Sequence, residues 1–188
     1  PLVLESGGKE ILDPHAWFST VNAAIYVRNI TEGIASLEPS KKWELESRAK
    51  LYLAQLRSLD SWIRQMVHLI PVRQRILVTS HDAFNYFARE YGFRNEAPLG
   101  WSTGSEIGAG MTPTRFKAVV NSIKSLGVKA VFVESSVNPK LIREIAREAG
   151  VKIGGELYSD SMGSHGSAGE TYIGMMSENV LTIVRALK

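Results

Sequence analysis

The sequence predicts an α/β fold: a four-stranded parallel sheet flanked by helices, preceded by a long bridging helix and a remnant of a second α/β lobe. Three observations carry this. After Pro71, short apolar runs alternate with segments of helical period, the pattern of βα units. Between Ser40 and Ile70 a single helical pattern runs without a break. Each apolar run then stops at or near a histidine or carboxylate, at the sheet edge where open α/β folds bind ligands. The boundaries that follow are 1–39 for the remnant, 40–70 for the bridging helix and 71–188 for the main lobe.

Composition narrows the function classes. The 22 basic and 19 acidic residues are well mixed and leave a net charge of +3, so no continuous basic face points to nucleic acid. There is no cysteine, which excludes disulfides and thiolate metal sites and restricts any metal ligands to His, Asp, Glu and water. No apolar run reaches the roughly 20 residues of a membrane span. The chain starts at Pro1 without an initiator methionine, signal peptide or lipidation cysteine and reads as a fragment.

Pro1 to Ile11 reads as the end of a strand or loop, with a turn at Gly7-Gly8. Asp13-Pro14-His15-Ala16-Trp17 looks like a helix start, with Asp13 as N-cap and Pro14 at the first helical position, and the helix runs to about Leu37. From Ser40, a candidate N-cap, apolar residues recur at Leu45, Ala49, Tyr52, Leu56, Leu59, Ile63, Met66 and Ile70. A helix of about 30 residues spans roughly 45 Å, enough to brace two lobes. The alternative is one strand of a coiled coil, but Trp43, Leu51, Leu53 and Trp62 widen the apolar face beyond such a seam.

The main lobe opens with strand Ile76 to Ser80, followed by His81-Asp82 and a helix from Ala83 to Tyr91 ending on Gly92. A weaker strand is expected at Leu99 to Ser102, then the loop Thr103 to Glu106. A helix from Thr114 to Leu126 follows, introduced by Thr112-Pro113. Val128 to Val133 is the clearest strand and ends in Glu134-Ser135-Ser136. Pro139 to Ala149 is helical; Val151 to Tyr158 is a strand leading to Ser159-Asp160. A Gly/Ser-rich loop, 161–169, precedes a last helix from Tyr172 to Leu187.

Parallel strands bring His81, Asp82, Glu106, Glu134 and Asp160 to one edge. His81 and Asp82 are candidate metal ligands or acid/base groups there, and Asp82 and Glu134 have a competing explanation as helix-start residues. His15, His81 and Asp160 together supply two imidazoles and a carboxylate from three distant parts of the chain, a set suited to Zn²⁺, Mn²⁺ or Fe²⁺. Asp13 is placed to orient His15. His68 reads as a helix C-terminal residue and His165 as a solvated loop residue. The tryptophans read as core and interface fillers. A metal-dependent hydrolase using the same His/Asp site, with Glu106 or Glu134 as general base, is the alternative reading. Against it, no P-loop, G-x-G-x-x-G or nucleophile elbow follows any strand.

With these residues in place, the sequence resembles the metal-specific solute-binding proteins of bacterial ABC importers, the cluster A-I family for zinc and manganese. The segments that carry the resemblance are Asp13-Pro14-His15-Ala16-Trp17, Thr79-Ser80-His81-Asp82-Ala83-Phe84, Ser105-Glu106 with Thr112-Pro113, Val133-Glu134-Ser135-Ser136, and Gly154 to Asp160, in that order. The resemblance implies a binding component, not an enzyme, that captures Zn²⁺ or Mn²⁺ between two lobes and delivers it to a permease. It would lie in the periplasm or be lipid-anchored on the outer face of the cytoplasmic membrane, monomeric when full length. It implies His15, His81 and Asp160 as ligands. Fe²⁺ is a further candidate ion from the donor set itself, and Asp13, Asp82, Glu106 and Glu134 are candidate supporting residues by position. The family's first histidine has no counterpart in this chain.

Overall fold

The computed structural model describes residues 1–6, 9–97 and 112–188. The main lobe has four strands in two two-stranded ladders set side by side as one layer: β3 (Ile76–Val78), β4 (Arg94–Glu96), β5 (Ala130–Glu134) and β6 (Lys152–Leu157). Parallel ladders join β3 to β4 and β5 to β6. Because β3 also runs beside β5, the spatial order is β4-β3-β5-β6. Chain connections leave β3 and β5 in opposite directions across the sheet, which makes the C-terminal ends of these two strands the topological switch point.

The strand expected at Leu99 to Ser102 lies outside the described residues, and the segment paired with β3 is Arg94–Glu96. Its sequence, Arg-Asn-Glu, is polar, and among the described residues β4 pairs only with β3 and lies at the edge, so hydrophobic pattern could not reveal it.

Side chains alternate across the sheet, as a period of two requires. Leu77, Ala130 and Phe132 face one core, shared with α2 (Lys42–His68), α3 (Asn85–Tyr91) and α6 (Tyr172–Leu187). Val78, Val131 and Val133 face a second core under α4 (Pro113–Leu126) and α5 (Lys140–Ala149). Helix ends follow the expected chemistry. Thr112 and Thr171 cap α4 and α6 by accepting from Arg115 N–H and Gly174 N–H, and Gly92 ends α3 in the left-handed conformation at φ 74°.

The β5–β6 ladder slips by one residue between Val131 and Phe132, so that Phe132 pairs with Gly155 and Gly154 is skipped. A Cβ at Gly154 would stand 2.7 Å from the Phe132 ring and 2.8 Å from Ala186 Cβ. Both neighbours sit in a packed core and neither can swing away. Gly154→Val is therefore expected to cost about 1–3 kcal/mol through overpacking, read as a lowered denaturation midpoint with an unchanged slope.

Upstream, the structure departs from expectation in three places. Val3–Ser6 (β1) and Lys9–Leu12 (β2) pair as an antiparallel hairpin, not as a single trailing strand or loop. Asp13 is not a helix N-cap. Its carboxylate accepts from His15 N–H at 2.9 Å, a short Ala16–Phe18 3-10 turn follows, and α1 (Thr20–Leu37) starts after Ser19, whose hydroxyl accepts from Asn22 N–H. Ser40 likewise does not cap the long helix; Pro39–Lys41 forms a 3-10 turn and α2 begins at Lys42.

α2 has 27 residues, a length of about 40 Å. Leu56, Leu59, Ile63 and Val67 are buried in the main core, against α3 and α6. Trp43 and Leu51, expected to broaden its buried face, are exposed at 81% and 70%, whereas Leu53 and Trp62 do pack on the core. Among the described residues no helix is long and apolar enough to cross a membrane.

Candidate functional site

Three backbone turns deliver the expected donor set to one point. His81 follows β3 in extended conformation, immediately before a 3-10 turn, Asp82–Phe84. Asp160 follows β6 on the same sheet edge. His15 arrives from the segment ahead of α1, its ring 5.3 Å from that of His81 and edge-on to it. One ligating atom from each of His15, His81 and Asp160 lies within 4.8 Å of the others. His15 and His81 are buried, while the Asp160 side chain is 43% exposed and forms the solvent-side wall.

Each imidazole is held from behind by a buried carboxylate. Asp13 Oδ1 is 2.7 Å from His15 Nδ1 and also accepts the His15 backbone N–H. Glu134, at the end of β5, accepts Ser80 N–H at 2.7 Å and His81 N–H at 3.1 Å through Oε1. Its Oε2 is 2.7 Å from His81 Nδ1. Glu134 thus joins the ends of β3 and β5 across the switch point and aims the ring of His81. These two contacts direct both Nε2 atoms toward Asp160, at 3.6 Å from His15 and 3.3 Å from His81.

The electrostatics follow from that geometry. Burial opposes a charge on His81, but the contacts with Asp160 and Glu134 outweigh it and hold the ring's pKa up at about 10. The same pairing with His81 holds Asp160 below the ordinary carboxylate value, against the upward push of its partial burial. Asp82 is pushed up, chiefly by burial.

The supporting residues separate. Asp13 lies against the His15 ring and Glu134 against the His81 ring. Asp82 heads the turn after His81, and its backbone carbonyl accepts from the Asn85 side chain at 3.0 Å. Glu106 lies outside the described residues. His68 is remote, at the end of α2, with Nδ1 2.5 Å from Arg64 O. His165 is exposed and pairs with Glu170.

Several residues around the site escaped the sequence reading. Asn85 donates to both Asp82 O and Asp13 Oδ2, tying the two histidine segments together. Tyr172 on α6 donates to Trp17 O at 2.8 Å, holding the His15 segment against the main lobe. Asn179 bonds both backbone groups of Tyr158. Of these, only Asn179 left a signal, as a polar residue within the apolar stripe Met175, Met176, Val180, Ile183.

The arrangement suits a metal ion. Two donors about 2.1 Å from one ion at tetrahedral angles stand about 3.4 Å apart, close to the 3.3 and 3.6 Å seen between Asp160 and the rings. Both ring nitrogens of the buried His81 lack a hydrogen bond of good geometry, and Nε2 is the one that faces Asp160. Carboxylate-backed imidazoles are the usual outer support of metal-ligating histidine.

The profile of a family described as zinc-uptake complex component A, periplasmic, matches residues 4–186. The zinc-binding protein TroA of Treponema pallidum is 38% identical over 180 residues, covering 93% of this chain and 57% of TroA. The manganese-binding lipoprotein MntA of Bacillus subtilis (strain 168) is 39% identical over 191 residues, 99% of this chain and 61% of MntA. The solved structure of the T. pallidum periplasmic zinc-binding protein TroA superposes with a TM-score of 0.87 at 36% identity, over 98% of this chain and 67% of that one. The chain therefore spans about 60% of the length of these curated relatives.

Proposed function

The chain belongs to the family of the periplasmic zinc-uptake component A, and from that premise we propose that it is the metal-capturing part of an extracytoplasmic binding protein serving an ABC importer. His15, His81 and Asp160 are the ligands. The observation that carries the proposal is the unpartnered, buried Nε2 of His81 facing Asp160, with Glu134 fixed behind it. The cargo is a divalent transition ion, Zn²⁺ or Mn²⁺, since two imidazoles and a carboxylate suit these better than Ca²⁺ or Mg²⁺. Relatives named as zinc-, manganese- and iron-binding proteins support the same range. Delivery goes to a permease in the cytoplasmic membrane, and α2 braces the lobe 71–188 against the segment that carries His15.

Capture follows from exposure. An ion reaches the half-exposed Asp160 first and is desolvated as the two buried imidazoles replace its water. Three protein donors leave at least one position for water or a further donor. The hydrolase alternative gains no support. Glu134 is buried, with Oε1 taken by Ser80 and His81 N–H and Oε2 facing His81 Nδ1 at 2.7 Å, so its carboxylate is turned into the protein and away from solvent.

Titration with Zn²⁺ and with Mn²⁺, by calorimetry on metal-free protein, tests the reading; saturable 1:1 binding of at least one is expected, and binding of neither overturns it. Because His81 is protonated below about pH 10 in the metal-free state, the ion must displace a proton. From about pH 6 to about pH 8, apparent affinity is expected to rise about tenfold per pH unit. Buffers of different ionisation enthalpy should report about one proton released per ion; none released would place the proton elsewhere. Without metal the sign reverses. The raised pKa of His81 stabilises the fold fully below 6.5 and this contribution is lost as pH climbs through about 10. The lowered pKa of Asp160 stabilises above 3.8 and is lost as pH falls below that value.

A further inference from the structure

Asn179 is 2% exposed and lies on the buried, otherwise apolar face of α6 with Met175, Met176, Val180 and Ile183. A buried amide in that setting is costly unless its groups are paired. Both are, by a single residue: Oδ1 accepts Tyr158 N–H at 2.8 Å and Nδ2 donates to Tyr158 O at 2.8 Å. Tyr158 is the first residue past the β5–β6 ladder, whose last pair is Glu134 with Leu157. The amide of Asn179 therefore takes the place of the next strand at the point where the sheet stops.

One residue on, Ser159 is buried and its hydroxyl meets that of Ser136 at 2.7 Å. Asp160 comes next. Among the described residues its carboxylate meets only the two imidazoles, so nothing else grips the side chain from behind. The contrast with the histidines is sharp, since Asp13 and Glu134 back each ring directly. The chain leaving Asp160 also folds back on the same anchor, because a Cβ at Gly169 would fall 2.4 Å from the Tyr158 ring.

We propose that Asn179 and Ser136 are positioning residues for Asp160, which hold the backbone at Tyr158 and Ser159 so that the carboxylate straddles His15 and His81. This rests on the reading of those three residues as the metal-binding set. The clamp acts for Asp160 as Glu134 acts for His81, but through the main chain.

The test is a double-mutant cycle on Zn²⁺ affinity with Asn179→Leu and Asp160→Ala, with Ser136→Ala paired in the same way. Asn179→Leu is expected to weaken Zn²⁺ binding by about tenfold or more, and to add less than about twofold in the Asp160→Ala background. A general loss of stability would instead multiply through both backgrounds. Co²⁺ substituted at the site should give the same d–d spectrum in Asn179→Leu as in Asp160→Ala. Should Asn179→Leu fail to fold, the Ser136→Ala cycle carries the same expectation, because it removes only one contact near the surface. Losses that multiply, or wild-type affinity in the folded single variants while Asp160→Ala binds weakly, overturn the positioning role alone. Unchanged affinity in Asp160→Ala overturns the metal-binding reading and the clamp with it.

Discussion

Replacing His81 with alanine is expected to weaken Zn²⁺ or Mn²⁺ binding by about a hundredfold or more, because a direct ligand matters more than an outer support, whose loss already costs tenfold to a hundredfold. His81 is the donor most completely prepared: buried, aimed by Glu134, and with Nε2 unpartnered toward Asp160. His15→Ala should fall in the same range, since its ring is held the same way by Asp13. His68→Ala and His165→Ala serve as controls; neither side chain reaches the site, and both should bind as the parent does. Competition with a chromophoric chelator measures all four. A parent-like affinity in His81→Ala would remove the chemical basis of the proposed capture.

The second large effect concerns stability. Glu134→Ala deletes a buried carboxylate that accepts two backbone N–H groups and faces a charged imidazole. It leaves two buried donors without a partner and His81 with one counter-charge fewer. About 3–5 kcal/mol of destabilisation is expected in the metal-free protein near neutral pH. Urea denaturation reads it directly. Glu134→Gln should cost much less, because an amide oxygen still accepts from Ser80 and His81, yet it should lower the pKa of His81 from about 10. Proton NMR titration of the ring separates the two roles: an unmoved His81 pKa in Glu134→Gln would mean that Asp160 alone holds the charge.

Both expectations involve residues that the order of the sequence already brought forward. The apolar runs at Ile76 and Val128 and the turns after them place His81 and Glu134 at strand ends whatever the rest of the chain does. The pairing of Glu134 with His81 was not legible, since a carboxylate opening a loop before a helix looks the same whether it caps that helix or crosses to a neighbouring strand. Only the adjacency of β3 and β5 decides, and 53 residues separate His81 from Glu134. Asp13 shows the same ambiguity on a smaller scale. Its acid before proline suggests a cap, but the carboxylate bonds to His15 and the helix starts later, at Thr20.

The sequence by itself determined the period of the helices and of the apolar strands, and it put forward His15, His81 and Asp160 as candidate donors. These properties are written in residue type and spacing, which act over a few residues. Tertiary structure decided which strand pairs with β3, how far the bridging helix is buried, and how Asp160 is held. Arg94–Glu96 carries no hydrophobic signal, the exposure of Trp43 depends on what packs beside it, and the bonds from Asn179 to Tyr158 join groups 21 residues apart. Such contacts exist only once the chain has collapsed, and a buried amide discloses its purpose only through the groups it meets.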